Sequence, residues 1–499
     1  MRPKIAPKQL NEIATGFNLA NYSEASDSAA NEVFISGITH NSKEVLPGDI
    51  FVALPGANHH GQQFIPQALT NGAVAIATDQ VGKESAMATG LPVITLTTPR
   101  VDMAILAARV YDHPEKKLTL VGVTGTNGKT SVTHILQSIF SQFGFKVGVI
   151  GTVGTYLDGQ HLSGVRTTPE STDLYAILAL MAQQEITHVF MEVSSHALAQ
   201  DRVHGLQFTK AIFTNLSQDH LDFHGTMENY FAAKAKLFTP EFAKSAVICI
   251  EDSWGEKLVG QTSNPKTTVS QNKQSDKADW AISDLRLAVT QTDFVLSHQH
   301  QDYSCSLPMI GAFNATNAAV AVVVATELGL DPQLVCRQLT QVAAVPGRSQ
   351  LVTHNSPGTA IVDYAHTPEA VEKVLATLRE VCAGQLITVI GCGGDRDATK
   401  RPIMGKVAAE ISDVVIVTDD NPRSEDPAKI RASVLAGINT ENTEVLEIGD
   451  RRQAIKQALA KASHADIVAV LGKGHEQGQE IAGQIFPFDD VQVIQQEAN

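Results

Sequence analysis

The residues best suited to chemistry lie in the stretch 120–131, where an apolar run leads into a glycine-rich turn and Lys129. Glycines permit a tight turn whose backbone N–H groups converge on an anion at the positive end of the following helix. Lys129 adds a mobile cation, and Thr130 has the hydroxyl that binds magnesium at this position of phosphate-binding loops. The stretch therefore predicts a nucleoside triphosphate site formed by Gly125, Thr126, Asn127, Gly128, Lys129, Thr130 and Ser131.

This loop is a variant of the common pattern G-x-x-x-x-G-K-[ST], since Val123 stands where that pattern has its first glycine. The alternative interpretation is a strand, a turn and a helix with incidental glycines. A Gly-Lys-Thr sequence directly after an apolar strand argues against that alternative.

Two side chains at or just after the ends of other predicted strands are candidates to bind a metal. Glu192 lies near the end of the apolar run 188–193, at the edge where parallel sheets present their ligands. The alternative for Glu192 is a carboxylate that caps a neighbouring helix. His220 lies in the polar run 215–222 and is a candidate metal or phosphate partner, or else a structural histidine.

Polar side chains are also dense at 194–202, and so many polar groups are costly to bury unless they contact a ligand. In the last third of the chain, polar clusters at 391–397, 418–423 and 472–476 each follow a predicted strand. Because the carboxyl ends of parallel strands share one edge of a sheet, we expect a single cleft there. Its arginines suit an anionic or zwitterionic ligand.

Several domains must position these groups, because a chain of 499 residues is too long for a single core. Proline-bearing boundaries at 113–117 and 345–347 indicate domains at 1–112, 113–346 and 347–499. The predicted class is α/β throughout. It comprises a small N-terminal α/β domain, a central P-loop ATPase-type domain with a mainly parallel sheet, and a Rossmann-like, doubly wound C-terminal domain.

Buried strands alternating with amphipathic helices support this prediction. Central strands are predicted at 118–123, 147–151, 188–193, 210–214 and 246–250. C-terminal strands are predicted at 360–363, 386–390, 414–417 and 466–471. The segment 263–279 is polar and is predicted to be a surface loop that leads into antiparallel strands, including 293–297.

Composition limits the class of protein. The 38 basic and 53 acidic residues give a formal charge of −15, which disfavours nonspecific binding to nucleic acid or anionic membranes. The apolar run 318–325 is far shorter than the roughly 18 residues of a membrane span. The five cysteines lack C-x-x-C spacing, so neither a disulfide framework nor a zinc site is indicated. We expect a soluble, cytoplasmic monomer with no membrane insertion and no nucleic-acid partner.

Nine motifs in order resemble those of the Mur ligases, and together they span nearly the whole chain. They lie at 125–130, 191–196, 230–234, 311–317, 345–348, 363–368, 391–397, 420–423 and 472–476. The match is to the branch of the family that adds the third residue of the peptidoglycan peptide. The resemblance implies an N-terminal uridine-nucleotide domain, a central ATP-binding domain and a C-terminal amino-acid domain.

The resemblance also implies a reaction. A carboxylate of UDP-N-acetylmuramoyl-L-Ala-D-Glu attacks the γ-phosphate of ATP to form an acyl phosphate. The amine of meso-diaminopimelate then displaces the phosphate through a tetrahedral intermediate. Metal ions neutralise the charge while the protein positions the reactants.

By the family's pattern, Lys129, Glu192, His220 and Lys234 form the catalytic set. Magnesium is expected at Thr130, Glu192, His220 and Lys234. Lys234 resembles a lysine that these enzymes carry as a carbamate, whose negative charge supports the metal; the alternative is an ordinary surface lysine. Further ATP contacts are implied at Asn314, Asn317, Arg348 and Asp363.

Contacts to the UDP-linked substrate are implied at Ser42, Thr167, Thr168, Ser194, Gln200 and Arg202. The N-terminal domain departs from the family's pattern at two places. Asn41 and Lys43 flank Ser42 where Asp and Arg are common, and 60–62 reads His-Gly-Gln where Asp-Gly-His is common. Arg348 is also followed by Ser-Gln where Met-Glu is usual.

Amino-acid contacts are implied at Arg396, Asp420, Asn421, Arg423, Gly472 and Glu476. The string Asp-Asn-Pro-Arg at 420–423 accompanies meso-diaminopimelate in the family, whereas L-lysine enzymes usually lack the arginine. Arg423 and Arg396 can bind the distal carboxylate that lysine lacks, and an unpaired arginine would repel lysine's ammonium group.

Three alternatives remain at this point. The first is an L-lysine-adding or relaxed-specificity ligase of the same family. The second is a folylpolyglutamate-type synthetase, against which the domain before Leu118 and the string at 420–423 argue. The third is a noncatalytic nucleotide-binding regulator, which predicts loss of the metal ligands or of Lys234, all of which are present.

Overall fold

The structure is a computed structural model, and it describes residues 2–21, 33–56, 59–162, 166–271, 278–439 and 441–497. It confirms the predicted α/β class. Three main sheets follow one another along the chain, with five, eleven and six strands.

The first sheet has the strand order β2-β7-β6-β5-β4, and a short β1-β3 ribbon lies beside it. Its strands are β1 (Lys8–Gln9), β2 (Asn18–Ala20), β3 (Phe34–Ile35), β4 (Gly37–Thr39), β5 (Asp49–Ala53), β6 (Ala75–Thr78) and β7 (Val93–Thr95). Its helices are α1 (Leu10–Ile13), α2 (Ile65–Thr70), α3 (Lys83–Met87) and α4 (Pro99–Val110). Strands β4 to β7 are parallel, and α2 and α3 make the crossovers from β5 to β6 and from β6 to β7.

The central sheet has the order β11-β10-β9-β12-β8-β13-β14-β15-β16-β17-β18. Its strands are β8 (Thr119–Thr124), β9 (Val147–Gly151), β10 (Gly154–Leu157), β11 (Gln160–Leu162), β12 (His188–Glu192), β13 (Lys210–Phe213), β14 (Ala246–Cys249), β15 (Lys266–Ser270), β16 (Trp280–Leu287), β17 (Thr292–His298) and β18 (Gln301–Leu307). Its helices are α5 (Lys129–Gln142), α6 (Ser171–Gln183), α7 (Ser195–Ala199), α8 (Leu221–His224), α9 (Met227–Ala235), α10 (Ser253–Gln261), α11 (Ala312–Glu327) and α12 (Pro332–Gln338).

One prediction about this sheet was wrong. The segment 263–279, predicted to be a surface loop, contains strand β15, which pairs in parallel with β14. Thr268, Val269 and Ser270 are buried there, and Thr268 exchanges hydrogen bonds with Asp279. The strand was not predicted because its threonine and serine side chains are polar. Their burial is made possible by hydrogen bonds to other parts of the protein. Residues 272–277 of this segment lie outside the described residues.

The third sheet has the order β19-β20-β24-β21-β22-β23 and is parallel except at β19. Its strands are β19 (Gln350–Val352), β20 (Thr359–Asp363), β21 (Leu386–Ile390), β22 (Val414–Val417), β23 (Glu444–Glu447) and β24 (Ile467–Leu471), and a separate hairpin comprises β25 (Gly478–Ile481) and β26 (Gln484–Pro487). Its helices are α13 (Pro368–Val381), α14 (Lys400–Ile411), α15 (Pro427–Leu435), α16 (Arg451–Lys461) and α17 (Asp490–Glu497).

Helices cover both faces of the central and third sheets. One apolar core joins the β8 face of the central sheet to α5 and α11, and the opposite face packs with α6 against the first sheet's core. In the third sheet, α13, α14 and α15 cover one face, and α16 and α17 cover the other. This arrangement is doubly wound, so ligands are expected at the carboxyl ends of the strands.

Candidate active site

The order of three neighbouring strands brings the phosphate loop and the acidic candidate together. Strand β8 lies between β12 and β13, and all three are parallel. The glycine-rich turn follows β8, Glu192 ends β12, and Thr214 follows β13. Residues that are separated by up to ninety positions in sequence therefore meet at one sheet edge.

The loop itself requires glycine at two positions. Gly125 and Gly128 have φ angles of 150° and 88°. A Cβ atom on Gly125 would lie 1.9 Å from Thr214 Oγ1, and one on Gly128 would lie 2.5 Å from Asn317 Oδ1. The close packing holds the backbone in a conformation whose N–H groups at the start of α5 can bind phosphate.

Lys129 begins α5 and lies at the loop. Its ammonium group donates to the carbonyl oxygens of Gly125 and Thr126 at 3.0 and 2.8 Å. Burial lowers the pKa of Lys129, while Glu192 and Asp219 oppose this shift. A bound phosphate would give this partly buried cation an anionic partner.

The oxygen atoms beside the loop suit magnesium. Thr130 Oγ1 donates to Glu192 Oε1 at 2.9 Å, and Thr152 Oγ1 donates to Glu192 Oε2 at 2.8 Å. Mg²⁺ prefers oxygen ligands, and it usually takes one or two carboxylates plus substrate phosphates and water. Among the described residues no group of three His, Cys, Asp or Glu side chains could hold a metal by itself. The residues present therefore fit a magnesium ion that is shared with a nucleotide.

Lys234 is not a surface lysine. Its side chain is 1% exposed, and Nζ donates to the carbonyl of Gly125 at 2.8 Å, directly at the phosphate loop. Nζ also lies 4.6 Å from the centre of the Tyr230 ring. Burial, reinforced by Lys129, lowers the pKa of Lys234 well below its usual range. The site therefore disfavours a charged ammonium at this position.

His220 lies on the other side of the loop, with Nε2 at 3.4 Å from Asp219 Oδ2. Partial loss of solvation lowers the pKa of His220 to about 4, with Asp219 opposing the shift, although 45% of the side chain is exposed. The ring of His196 packs edge-on against the ring of His220, and the two ring centres are 4.8 Å apart. His220 is therefore neutral near pH 7, the form in which imidazole binds a metal.

A cavity of about 620 Å³ extends from the loop towards the third sheet. It is lined by every residue from Thr126 to Ser131 and by Glu192, His220 and Lys234. Arg348 and Asp363 line it from the C-terminal side. Arg348 donates to Thr130 Oγ1 at 3.3 Å, so the two sides are in contact.

Asp363 and Arg348 are each held by neighbouring groups. The Asp363 carboxylate accepts from the backbone N–H groups of Ser349 and Ala365 at 2.6 and 2.7 Å. Burial raises the pKa of Asp363, and Arg348 and these bonds oppose that shift. The Arg348 guanidinium lies 4.4 Å from the centre of the Tyr364 ring.

The two asparagines of α11 occupy different positions. Asn317 lines the cavity, whereas Asn314 lies behind it. Asn314 donates to the Ile310 carbonyl at 2.8 Å and accepts from Asn317 Nδ2 at 3.2 Å. Sequence reasoning missed Gln271 and Thr316, which also line this wall and are joined by a 2.6 Å hydrogen bond. Gln271 lies outside every motif, and Thr316 lies inside the motif at 311–317, of which only the two asparagines were expected to contact ATP.

A second cavity, of about 820 Å³, lies at the carboxyl ends of β21, β22 and β24, which are neighbours in the third sheet. Every predicted amino-acid contact lines it, namely Arg396, Asp420, Asn421, Arg423, Gly472 and Glu476. The predicted single cleft is therefore present in the structure.

Arg423 in this cleft already has partners. Its Nε lies 3.2 Å from Glu480 Oε2, and Nη1 donates to the Gly394 carbonyl at 2.7 Å. The positive charge of Arg423 is therefore partly compensated by Glu480, a pairing that the sequence did not indicate. Arg396 is exposed and donates to the Asp395 carbonyl at 3.1 Å.

Five of the six predicted contacts to a UDP-linked substrate fall into two groups near the 620 Å³ cavity. Thr167 and Ser194 line the 620 Å³ cavity. Thr168, Gln200 and Arg202 lie behind it: Arg202 donates to the Thr168 carbonyl at 3.1 Å and to Gln200 Oε1 at 2.8 Å.

Sequence reasoning also missed Glu170, a buried carboxylate that is paired with Arg100, Arg166 and Arg202. Burial alone would raise the pKa of Glu170, but these three arginines lower it.

Ser42 lines neither cavity. It is nearly buried in the first sheet's segment, and its hydroxyl donates to Gln67 Oε1 at 2.7 Å. His60, in the string that departs from the expected pattern, pairs with Asp79 at 3.0 Å.

Three protein-family models match this chain. The Mur ligase family catalytic domain matches residues 34–111, the Mur ligase middle domain matches 123–325, and the Mur ligase glutamate ligase domain matches 347–474. The UDP-N-acetylmuramoyl-L-alanyl-D-glutamate--2,6-diaminopimelate ligase of Streptomyces avermitilis is 44% identical, over 93% of this chain and 92% of its own.

Solved structures are similar as well. A structure of UDP-N-acetylmuramoyl-L-alanyl-D-glutamate--2,6-diaminopimelate ligase has a TM-score of 0.68 at 32% identity and covers 99% of both chains. Mycobacterium tuberculosis folylpolyglutamate synthase has a TM-score of 0.63 at 19% identity, covering 75% of this chain and 92% of its own. At that identity the second likeness shows a shared fold alone.

No described helix is long and apolar enough to cross a membrane.

Proposed function

Because this chain belongs to the Mur ligase family of ATP-dependent, peptide-bond-forming enzymes, we propose that it joins meso-diaminopimelate to UDP-N-acetylmuramoyl-L-Ala-D-Glu. This step belongs to cytoplasmic synthesis of peptidoglycan precursors. The observation that carries the proposal is that the two cavities share a wall, formed by Asp219, His220, Tyr364 and His366. A phosphate-binding pocket adjoining a zwitterion-binding cleft is what a two-step ligation requires.

In the first step, a carboxylate oxygen of the UDP-linked peptide forms a bond to the γ-phosphorus of ATP. The bond from that phosphorus to the β–γ bridging oxygen breaks, and ADP leaves. The loop at 125–131 cradles the phosphates, and Lys129 and Arg348 reduce their negative charge. Magnesium, when bound, adds charge neutralisation, and Thr130, Glu192 and His220 are the residues that would hold it.

In the second step, the amine of the amino acid bonds to the acyl carbon and gives a tetrahedral intermediate. The carbon–oxygen bond to phosphate then breaks, inorganic phosphate leaves and the nitrogen loses a proton. The shared wall allows the amine in one cavity to reach an acyl phosphate in the other.

Lys234 is proposed to carry a carbamate. The uncharged amine is the form that reacts with carbon dioxide, and a buried ammonium facing Lys129 is disfavoured. The carbamate would convert a repulsive cation beside the phosphate loop into an anion that supports magnesium. Its position at the Gly125 carbonyl supports this role.

The amino-acid specificity is proposed to depend on Arg423 and Arg396, which line the cleft and can bind the distal carboxylate of diaminopimelate. An L-lysine-adding or relaxed enzyme is the alternative. Residues 1–112, 113–346 and 347–499 are proposed to bind the uridine nucleotide, ATP and the amino acid respectively. Ser42, Thr167, Thr168, Ser194, Gln200 and Arg202 are proposed to serve the UDP-linked substrate, the last two by orienting neighbours.

The test is phosphate release from ATP with Mg²⁺ and UDP-N-acetylmuramoyl-L-Ala-D-Glu, comparing meso-diaminopimelate with L-lysine. We expect release that depends on diaminopimelate. Release with lysine instead would retain the ligase and contradict the role of Arg423. No release with either amino acid would contradict the proposed reaction.

A further inference from the structure

Lys473 lies beneath the amino-acid cleft and has none of its surface exposed. Its neighbour Gly472 lines the cleft, as does Glu476, but the Lys473 side chain turns into the protein. A lysine is almost never fully buried unless its charge is paired. The contacts of Lys473 therefore define its role.

The ammonium group of Lys473 links its own turn, 472–478, to the segment 420–423. It donates to Gly478 O at 2.6 Å, to Asn421 Oδ1 at 3.2 Å and to Glu476 Oε2 at 3.3 Å. Asp420 Oδ1 lies 4.0 Å away. The three acceptors match the three protons of an ammonium group, so this buried cation is fully hydrogen-bonded.

The same network uses both ends of the Asn421 amide. Asn421 Oδ1 accepts from Lys473 and from the backbone N–H of Glu480 at 2.9 Å, and Nδ2 donates to Glu476 Oε2 at 2.7 Å. Asn421 therefore links side chains rather than offering a free amide. Glu476 Oε2 accepts two bonds, whereas its Oε1 accepts none from the described residues.

The turn that carries these groups is tightly packed. Gly472 and Gly474 have φ angles of 110° and 54°. A Cβ atom at these positions would lie 2.5 Å from Asp420 Oδ2 and 2.7 Å from Tyr364 Cβ respectively. The backbone thus fixes where Lys473 enters the network, and the ammonium group fixes Glu476.

We propose that Lys473 is a positioning residue for the amino-acid substrate, holding Glu476 directly and through Asn421 so that one carboxylate oxygen faces the substrate's ammonium group. This inference rests on the proposed function. It assigns recognition of the ammonium to a carboxylate whose orientation depends on a buried cation that never touches the substrate.

The experiment measures KM separately for meso-diaminopimelate, the UDP-linked dipeptide and ATP in Lys473→Met, a substitution of similar length without charge. The KM for diaminopimelate should rise tenfold or more, about the effect of a charge-assisted hydrogen bond. The other two KM values should change by less than about threefold, because the ATP cavity does not include this network. Lys473→Gln keeps a hydrogen-bond donor, so its KM for diaminopimelate should lie between those of the wild type and Lys473→Met.

A double-mutant cycle with Glu476→Gln separates positioning from general stability. If Lys473 acts through Glu476, then introducing Lys473→Met into the Glu476→Gln variant should raise its KM for diaminopimelate by less than about threefold. Lys461→Met is the matched control, since Lys461 pairs with Glu444 on the outside of the same sheet. Thermal unfolding shows whether each variant is folded. If Lys473→Met does not fold, the same KM measurements are made on Lys473→Gln.

Additive effects with Glu476→Gln, or a lower unfolding temperature with all three KM values unchanged, would overturn the role of Lys473. Failure of the wild-type protein to use diaminopimelate would instead contradict the proposed function. The two failures are therefore distinguishable.

Discussion

The proposed phosphate pocket and the proposed amino-acid cleft are built in different ways. The pocket is organised around one backbone loop between β8 and α5, whose glycines allow close packing against Thr214 and Asn317, and side chains from other strands and helices complete it. The cleft is mainly side chain, assembled from the ends of β21, β22 and β24 and from the turn before β25. A phosphate is common to many substrates, so a local backbone device suffices, whereas one amino acid must be distinguished from another by placed charges.

The largest expected effect concerns Lys234, the one catalytic candidate whose proposed role depends on a chemical modification. Lys234→Ala should lower ligation by at least about 10²–10³-fold, because an electrostatic group at the reacting phosphates is lost. ATP binding should remain measurable, and short carboxylic acids should restore part of the activity. Phosphate release and nucleotide titration would check this.

Lys244→Ala is the matched control for Lys234, since Lys244 is exposed in the same segment and should retain activity. Full activity in Lys234→Ala would remove the carbamate role. Loss of activity in both variants would indicate a general effect of removing a lysine.

In the cleft, Arg423→Ala should lower kcat/KM for diaminopimelate by about 10–100-fold, the value of a charge-assisted pair with a carboxylate. The KM for the UDP-linked dipeptide should change little. Arg431→Ala is the control, because Arg431 pairs with Asp419 and Glu447 and does not line the cleft. An unchanged ratio of kcat/KM between diaminopimelate and lysine would contradict the assignment.

In the phosphate pocket, Gly128→Ala tests whether the backbone itself is the binding device. A Cβ would meet Asn317 and the left-handed conformation would be strained, so the ATP dissociation constant should rise about tenfold, equivalent to about 1.4 kcal/mol. Gly144→Ala, at the other end of α5, has φ of 83° and open space around the added atom. It should lower stability without changing ATP binding, and equal ATP affinities in the two variants would contradict the backbone account.

The smallest expected effect belongs to Glu480, which pairs with Arg423 at 3.2 Å and is 41% exposed. Such a pair is worth at most about 1 kcal/mol, since solvent screens it. Glu480→Gln should therefore lower the KM for diaminopimelate by no more than about fivefold, by freeing Arg423. A rise in KM would show that Glu480 helps to bind the substrate rather than competing with it.

Sequence patterns predicted the parts of the fold that depend on local regularities. Apolar runs identified the strands that end in the phosphate loop, Glu192 and the three polar clusters of the third sheet. They failed at β15, where Thr268 and Ser270 are buried through hydrogen bonds to neighbouring segments. A buried polar strand has no local signature, because its burial depends on partners elsewhere in the chain.

The sequence by itself determined the α/β class, the phosphate loop and the residues that gather at the cleft, because each follows from spacing within a short segment. Only the tertiary structure decided that Lys234 is buried, that Asn314 lies behind Asn317 and that Arg423 is paired with Glu480. It also decided the network around Lys473. Burial and pairing depend on contacts between distant segments, and those contacts are set when the sheets and helices pack together.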